Sequence, residues 1–185
     1  VSDNGHSTQS TFFDYDRDGD LDLYVANYPP AGFQNPHAYY REKMDNVPEE
    51  DTDRLFENDG TGYFKDVTRQ AKLFSYGLSL SATVGDFNQD GWPDLYVSND
   101  FSTPDYFYFN NGDGTFREAI KETTRHISFY GMGVDVGDIN NDGLLDIVQA
   151  EMNPADNFRS KANMASMNPP LFWGAVSLGF HYQYM

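Results

Sequence analysis

The chain has 185 residues, of which 29 are acidic and 12 are basic, giving a formal net charge of −17 and a pI near 4.2. So negative a surface repels polyanions, which excludes nucleic acid and anionic membranes as expected partners. The chain contains no cysteine, which excludes disulfides and thiol chemistry, and no apolar run long enough to suggest membrane insertion.

An acidic nine-residue motif occurs three times, at 14–22, 86–94 and 138–146. Each copy has an oxygen-bearing side chain at positions 1, 3, 5 and 9 and glycine at position 6. This spacing lets a tight loop fold its oxygens around one hard cation, because glycine supplies the backbone freedom that the turn needs. Ligands that are all oxygen indicate calcium rather than zinc or copper. We therefore predict three calcium-binding loops.

The EF-hand is the obvious alternative interpretation of this motif, and two features argue against it. Its loop requires a bidentate glutamate at position 12, where this chain has Val25, Val97 and Gln149. The segments after the motifs, such as Leu21–Ala26, are short, β-branched and aromatic, which is typical of buried strands rather than helices. The predicted calcium loops therefore connect strands.

The motifs belong to a longer repeat. A shift of 52 residues relates Asp86 to Asp138 and also relates 55–64 to 107–116. Each of these two segments reads as a strand, an Asn/Asp/Gly turn and a second strand, which is a strong hairpin signal. A period of about 50 residues with four strands per unit is typical of a β-propeller blade.

In each predicted blade, strand A ends at the motif, strand B follows it, and strands C and D form the hairpin. The predicted strands are 9–14, 21–26, 54–57 and 63–67 in blade one, 81–86, 94–98, 105–109 and 115–119 in blade two, and 132–138, 145–149 and the start of a further strand at 181–185 in blade three.

The predicted fold class is all-β, with propeller blades of four antiparallel strands and calcium loops between strands A and B. Blade one is expected at 1–68 with an insertion at 28–54, blade two at 69–119, and an incomplete blade three at 120–185 with an insertion at 151–181. Propellers typically close with about four to eight blades. We therefore expect part of a larger propeller, whose strand edges are covered by the remaining blades of a longer chain or by neighbouring copies.

The motifs, with the Asp-Leu-Tyr-Val that trails the first two, resemble the FG-GAP/VCBS repeats of integrin alpha-subunit propellers and their bacterial relatives. More closely, Phe13–Val25, Asn58–Gly60 and Phe158–Lys161 resemble the secreted cartilage-acidic-protein-like group, whose repeats are often followed by an ASPIC/UnbV domain. This resemblance implies a calcium-bound propeller, often of seven blades, on exported proteins that are extracellular or attached to the cell surface. It implies no catalytic activity, and no ASPIC/UnbV segment is recognisable in this sequence.

Carried over by position, the resemblance implies four side-chain ligands and one main-chain carbonyl in each loop. The side chains are those of Asp14, Asp16, Asp18 and Asp22 in loop one, Asp86, Asn88, Asp90 and Asp94 in loop two, and Asp138, Asn140, Asp142 and Asp146 in loop three, and the carbonyls are those of Asp20, Trp92 and Leu144. Loop one offers four carboxylates, so we expect it to bind calcium more tightly than the loops with asparagine at position 3.

Both insertions lengthen the connection between strands B and C, which in an up-and-down blade lies on the face opposite the calcium loops. The first is expected to be irregular because it contains Pro29 and Pro30. The second offers two short helices, one at 157–164 capped by Asp156 and one at 171–178 capped by Asn168. Long loops on a rigid scaffold often carry function, so this face is the expected ligand face.

No catalytic motif accompanies these features, since the four histidines are scattered and form no metalloprotease or nucleophile-elbow pattern. The expected function is recognition or adhesion, with a protein or glycan bound on the insertion-bearing face and calcium serving the fold. Phe172 and Trp173 either form a ligand platform there or pack their helix onto the propeller. Two alternatives stay open: part of an extracellular enzyme acting on polysaccharide or phosphoester, and a subunit of an extracellular filament.

Overall fold

The computed structural model describes residues 1, 3–32, 35–152 and 169–184. Two four-stranded antiparallel sheets dominate it, each with its strands in sequential order. Sheet one contains β1 (Ser7–Phe13), β2 (Asp22–Asn27), β3 (Arg54–Asn58) and β4 (Phe64–Asp66). Sheet two contains β5 (Ser79–Gly85), β6 (Asp94–Asn99), β7 (Tyr106–Asn110) and β8 (Phe116–Glu118). These sheets confirm the predicted all-β architecture of four-stranded antiparallel units.

A third, smaller unit follows in the chain. Its strands are β9 (Ile127–Ser128), β10 (Gly131–Gly137), β11 (Asp146–Glu151) and β12 (Gln183–Tyr184). β10 and β11 pair antiparallel, as predicted for strands A and B of blade three. The prediction that 181–185 begins the next strand of this blade is wrong for its described residues, because β12 pairs in parallel with β9. The Gln183 amide fixes this position by donating to the carbonyls of Phe101 and Thr103, both at 3.0 Å. Met185 lies outside the described residues.

The three strand pairs that flank the acidic motifs share one register. Each begins with a bulge, at Ser7/Gln9, Ser79/Ser81 and Gly131/Gly133. Each ends with the final aspartate of the motif opposite the last residue of strand A, in the pairs Phe13/Asp22, Gly85/Asp94 and Gly137/Asp146. The repeat seen in the sequence is therefore also a repeat of backbone geometry.

The main core lies between sheets one and two. Leu55 of sheet one and Leu95 and Val97 of sheet two are fully buried in one cluster, together with Tyr24 and Tyr108. Nearly every residue of β2 and β6 is buried, because these middle strands are covered on both faces. Removing apolar surface from water contributes about 25 cal/mol per Å², so this packing holds the two sheets together.

The helices lie in the insertions and in one further connection. They are α1 (His37–Asp45), a 3₁₀ turn (Glu49–Asp51), α2 (Ile120–Thr123) and α3 (Pro169–Ser177). Within the described residues, no helix is long and apolar enough to span a membrane. α3 confirms the helix predicted at 171–178, whereas the helix predicted at 157–164, its cap Asp156 and the cap Asn168 lie outside the described residues. So does Phe158–Lys161, one of the segments that carried the family resemblance.

α1 corrects the expectation that the first insertion is irregular. Pro29 and Pro30 do lie in irregular backbone, but a nine-residue helix begins after Pro36. This helix is held by Tyr40, which is fully buried in a second aromatic cluster. The cluster also contains Phe101 from the connection between β6 and β7, and Ala175 and Phe180 from α3 and the segment after it. Its other members are Tyr76 and Leu78, which precede β5, and Phe129, which lies between β9 and β10. The two insertions thus pack into one structure.

Candidate metal centres

All three motifs fold into the same tight loop. The residues at position 4, Arg17, Gln89 and Asn141, have φ of 62°, 60° and 60°, and the glycines at position 6 have φ of 98°, 89° and 84°. Position 6 therefore favours glycine, which carries no Cβ penalty there. Its N–H donates to the carboxylate at position 1 in every loop, over 3.2, 2.9 and 2.9 Å. The backbone thus folds the loop around its own acidic side chains.

The predicted ligand positions are brought together by these backbone contacts. The N–H of position 7 donates to the position-5 carboxylate at 2.9, 2.8 and 2.9 Å in the three loops. The N–H of position 5 in turn donates to the side-chain oxygen of position 3 at 3.2, 2.9 and 2.9 Å. With the bond from position 6 to position 1, these contacts join the predicted ligands at positions 1, 3, 5 and 7 of each loop. The residues are Asp14, Asp16, Asp18 and Asp20 in loop one, Asp86, Asn88, Asp90 and Trp92 in loop two, and Asp138, Asn140, Asp142 and Leu144 in loop three.

Loop one has the highest concentration of negative charge. Asp14, Asp16 and Asp18 each place one carboxylate oxygen within 4.8 Å of the others. Oδ1 of Asp14 is buried and has no hydrogen-bond partner among the residues that the structure describes. Leaving a buried carboxylate oxygen unpaired is costly, and a cation is the partner that a group of oxygen ligands lacks. Burial raises the pKa of Asp16, with the neighbouring carboxylates acting in the same direction.

In loops two and three, a side-chain amide of the loop itself donates a hydrogen bond to one of the carboxylates. The side-chain nitrogen of Asn88 donates to Asp90 at 2.8 Å, and that of Asn140 donates to Asp142 at 3.0 Å. Each of these loops carries two carboxylates fewer than loop one, because position 3 is asparagine and position 7 is Trp92 or Leu144 where loop one has Asp16 and Asp20. The difference matches the expected order of calcium affinity, which stays a prediction.

The final aspartate of each motif connects the loop to the sheet. Its Oδ2 accepts the N–H of position 2 at 3.0 Å in all three loops. Oδ1 of Asp22 and of Asp94 also accepts a backbone N–H from strand C, from Asn58 and Asn110, both at 2.9 Å. Burial raises the pKa of Asp22 and Asp94 to about 6, although these hydrogen bonds lower it. Asp146 is only half-buried.

The donor set of each loop fits calcium. Carboxylate, amide and carbonyl oxygens are the ligands that this ion takes, in a flexible shell of about six to eight oxygens. The side chains at positions 1, 3, 5 and 9 would hold the ion, and the carbonyl at position 7 would complete the protein's share. A bound ion would supply fixed positive charge to a crowded group of carboxylates.

A second pair of buried acids escaped the sequence analysis. Asp53 and Asp105, which are 2% and 0% exposed, precede strand C of the two complete sheets. Each accepts a tyrosine hydroxyl and a backbone N–H from strand B of its own sheet, at 2.6 to 2.7 Å. Each also accepts a donor from the next unit, Ser79 at 2.7 Å for Asp53 and Gln149 at 2.9 Å for Asp105. These acids join consecutive units, and the 52-residue shift that relates them was a signal of that role.

The two insertions enclose a small cleft away from the acidic loops. It has a volume of only about 10 Å³ and is lined by His37, Phe129, Leu171, Phe172, Ala175, Val176, His181 and Gln183. Burial lowers the pKa of His37 and His181, so both rings favour the neutral form. Beside the cleft, Trp173 is 60% exposed, while Phe172 is half-buried and stacks on Tyr182. Phe172 therefore packs its helix, and Trp173 presents its ring to solvent.

Antiparallel four-stranded units with an acidic oxygen loop between their first two strands define a class of repeat proteins built from propeller-type blades. A family model described as FG-GAP-like repeat matches residues 46–97 and 86–148. These matches cover more than half of the chain, and the chain belongs to the FG-GAP-like repeat family. The resemblance recognised from the motifs is thereby confirmed.

Curated relatives point the same way. Cartilage acidic protein 1 of Homo sapiens is 28% identical over 140 residues, which is 73% of this chain and 19% of the relative. The proteins of the same name from Mus musculus and Xenopus tropicalis are 27% and 28% identical, over 73% of this chain and 20% of each relative. The chain spans about a fifth of the length of the curated relatives that it matches.

Proposed function

We propose that the chain is a segment of an extracellular or cell-surface β-propeller that recognises a protein or glycan through its insertion-bearing face, with calcium stabilising the fold. The observation that carries this proposal is the separation of two kinds of surface. The acidic loops repeat one geometry, whereas the insertions differ from each other and yet pack into a single structure. Repetition suits a scaffold, and a unique surface suits recognition.

Calcium is proposed at all three loops. The support is the shared loop geometry, the all-oxygen donor set, and the buried Oδ1 of Asp14, which is unpaired within the described part of the chain. Extracellular modules bind calcium at roughly 10⁻⁴–10⁻³ M. Calcium at millimolar concentration would then add roughly 0.4–1.4 kcal/mol per site to the free energy of unfolding.

Calorimetric titration of the chelator-treated chain tests this part of the proposal. We expect three calcium ions per chain and a melting temperature that falls when calcium is removed. Arg117→Ala, which removes a side chain that contacts Glu122 and belongs to none of the three loops, should still bind three ions and lose stability in chelator as the unmodified chain does. A melting curve that is identical in calcium and in chelator would contradict the proposal.

Recognition is proposed to centre on Trp173, since exposed aromatic side chains with adjacent apolar surface are typical anchors of binding interfaces. Leu171 beside it is 43% exposed. The chain should be screened against immobilised extracellular glycans and matrix proteins in calcium. Trp173→Ala should weaken binding at least about tenfold, as expected for the loss of a hot spot. Tyr63→Ala is the matched control, because Tyr63 is 68% exposed in the hairpin turn on the side of the acidic loops.

The screen also separates the alternatives. Equal binding by both variants would contradict recognition through this face. Turnover of a polysaccharide or phosphoester by the full-length protein would favour the enzyme, and filaments in micrographs would favour the structural subunit.

The remaining blades, from a longer chain or from neighbouring copies, are proposed to cover the sheet of β10 and β11, which is the third sheet. Within the described residues this sheet has two strands, and Val148 and Met152 at its edge are about half exposed. Unpaired strand edges promote association. Light scattering should show oligomers of the isolated chain and a monomer when flanking repeats are restored. A stable monomer of the isolated chain would contradict this.

A further inference from the structure

Each acidic loop reaches the next one through the side chain at its position 4. This position has a left-handed backbone in all three loops. In loop one the guanidinium of Arg17 lies over the ring of Trp92, 5.3 Å from its centroid. Trp92 is position 7 of loop two, the residue whose carbonyl is a predicted calcium ligand.

The same relation recurs between loops two and three with different chemistry. Gln89, at position 4 of loop two, donates its side-chain N–H to the carbonyl of Gly143, 3.2 Å away. Gly143 is position 6 of loop three. In both pairs, therefore, position 4 of one loop contacts position 6 or 7 of the following loop, and the direction along the chain is the same.

Trp92 has a second close contact as well. Its indole packs so closely on Gly112 in the hairpin turn of its own sheet that a Cβ at Gly112 would lie 2.8 Å from the ring. Arg17 and this turn thus both contact the ring, which limits the positions that the backbone of Trp92 can take. A second tie, from the Asn110 amide to the carbonyl of Tyr15 at 2.7 Å, joins loop one to the same sheet.

We propose that Arg17 and Gln89 are positioning residues that couple neighbouring calcium loops, so that calcium in one loop strengthens binding in the next. The inference rests on the proposed binding of calcium. When an ion orders loop one, Arg17 is fixed over Trp92 and the carbonyl at position 7 of loop two is preorganised. Charge repulsion alone would make the two loops bind calcium less tightly together, because a cation in loop one and Arg17 itself both repel a cation in loop two.

The test measures how loop-two affinity depends on loop one, with and without Arg17. Trp173→Phe leaves Trp92 as the sole tryptophan of the chain, which has two. Terbium luminescence sensitised by Trp92, and its displacement by calcium, then reports on loop two. Loop one is disabled by Asp14→Asn with Asp18→Asn. Arg17 is replaced by asparagine, which the chain itself carries at this position in loop three, as Asn141 with φ 60°.

We expect that disabling loop one weakens calcium binding at loop two about two- to fivefold more in the Arg17 background than in the Arg17→Asn background, the size expected of an exposed cation–π contact. The charge lost from loop one is the same in both backgrounds and cancels. Arg17→Lys keeps the charge without the planar stack and should retain only part of the coupling. Arg117→Ala, which removes an arginine placed over Phe109 at 5.7 Å, should leave the coupling intact.

The outcomes distinguish this inference from the function on which it rests. An equal effect of disabling loop one in both Arg17 backgrounds would overturn the coupling and leave calcium binding standing. A Trp92 signal that does not respond to terbium or calcium would overturn both.

Discussion

Sheet two and the third sheet contain the same repeat positions in different surroundings. Leu95, Tyr96 and Val97 of β6 are 0%, 4% and 0% exposed. At the corresponding positions of β11, Ile147 is half-buried and Val148 is 50% exposed. Sheet two has a neighbouring unit on each side, whereas the third sheet has one within the described residues. Burial of a repeat position is therefore supplied by the next unit along the chain, as in other repeat architectures.

The largest expected effect is a difference in stability between matched core positions. Leu95→Ala should lower the free energy of unfolding by about 2–5 kcal/mol, because it leaves a cavity in a closed core. Ile147→Ala should cost about half as much, because the cavity opens toward solvent, and Val148→Ala should stay within about 1 kcal/mol. Urea denaturation of the three variants measures this. Equal losses at Leu95 and Ile147 would mean that the third sheet is already fully covered.

The buried acids between units offer the next test. Asp105→Ala removes the acceptor for Tyr96, Asn99 and Gln149 and leaves buried donors unpaired, at about 1–3 kcal/mol for each donor that finds no water. Asp135→Ala removes an exposed aspartate from β10 and should change stability by less than about 0.5 kcal/mol. Chemical denaturation compares the two variants. A negligible loss at Asp105 would show that the tie between sheets two and three is unimportant.

How far the sequence predicts this molecule depends on whether the interactions are local. The loops were predictable because glycine at position 6 and the spacing of the acids determine the turn within nine residues. The contact of Arg17 with Trp92 and the parallel pairing of β12 were not, since they join segments far apart in the chain. α1 escaped prediction because its charged sequence shows little amphipathic pattern, and tertiary contacts of Tyr40 hold it. Asp53 reads as an ordinary turn acid until its burial is known.

The two complete sheets should also make stability depend on pH. Burial raises the pKa of Asp53 and Asp105 to about 6. A carboxyl with a raised pKa in the folded state stabilises the protein below its unfolded pKa of about 4, and this stability is lost as pH rises to about 6. In chelator, the free energy of unfolding measured by chemical denaturation should therefore be higher at pH 5 than at pH 7.5, by roughly 1–3 kcal/mol. Asp53→Asn with Asp105→Asn should reduce this dependence by about half, because Asp22 and Asp94, whose pKa is also raised to about 6, keep their share. The same slope in that variant would assign it to other groups.

The smallest effect separates the final aspartates of loops two and three. Asp94 is fully buried and accepts backbone N–H groups from Phe87 and Asn110, whereas the half-buried Asp146 accepts one, from Ile139, within the described residues. In chelator, Asp94→Ala should therefore cost about 1 kcal/mol more than Asp146→Ala, the worth of one additional buried hydrogen bond. Millimolar calcium should increase the difference in free energy of unfolding between wild type and each variant by roughly 0.4–1.4 kcal/mol, because each variant has lost one calcium site. Melting curves of the three proteins with and without calcium separate the two contributions. If calcium left these stability differences unchanged, the final aspartate would stabilise the sheet through its hydrogen bonds and would not bind calcium.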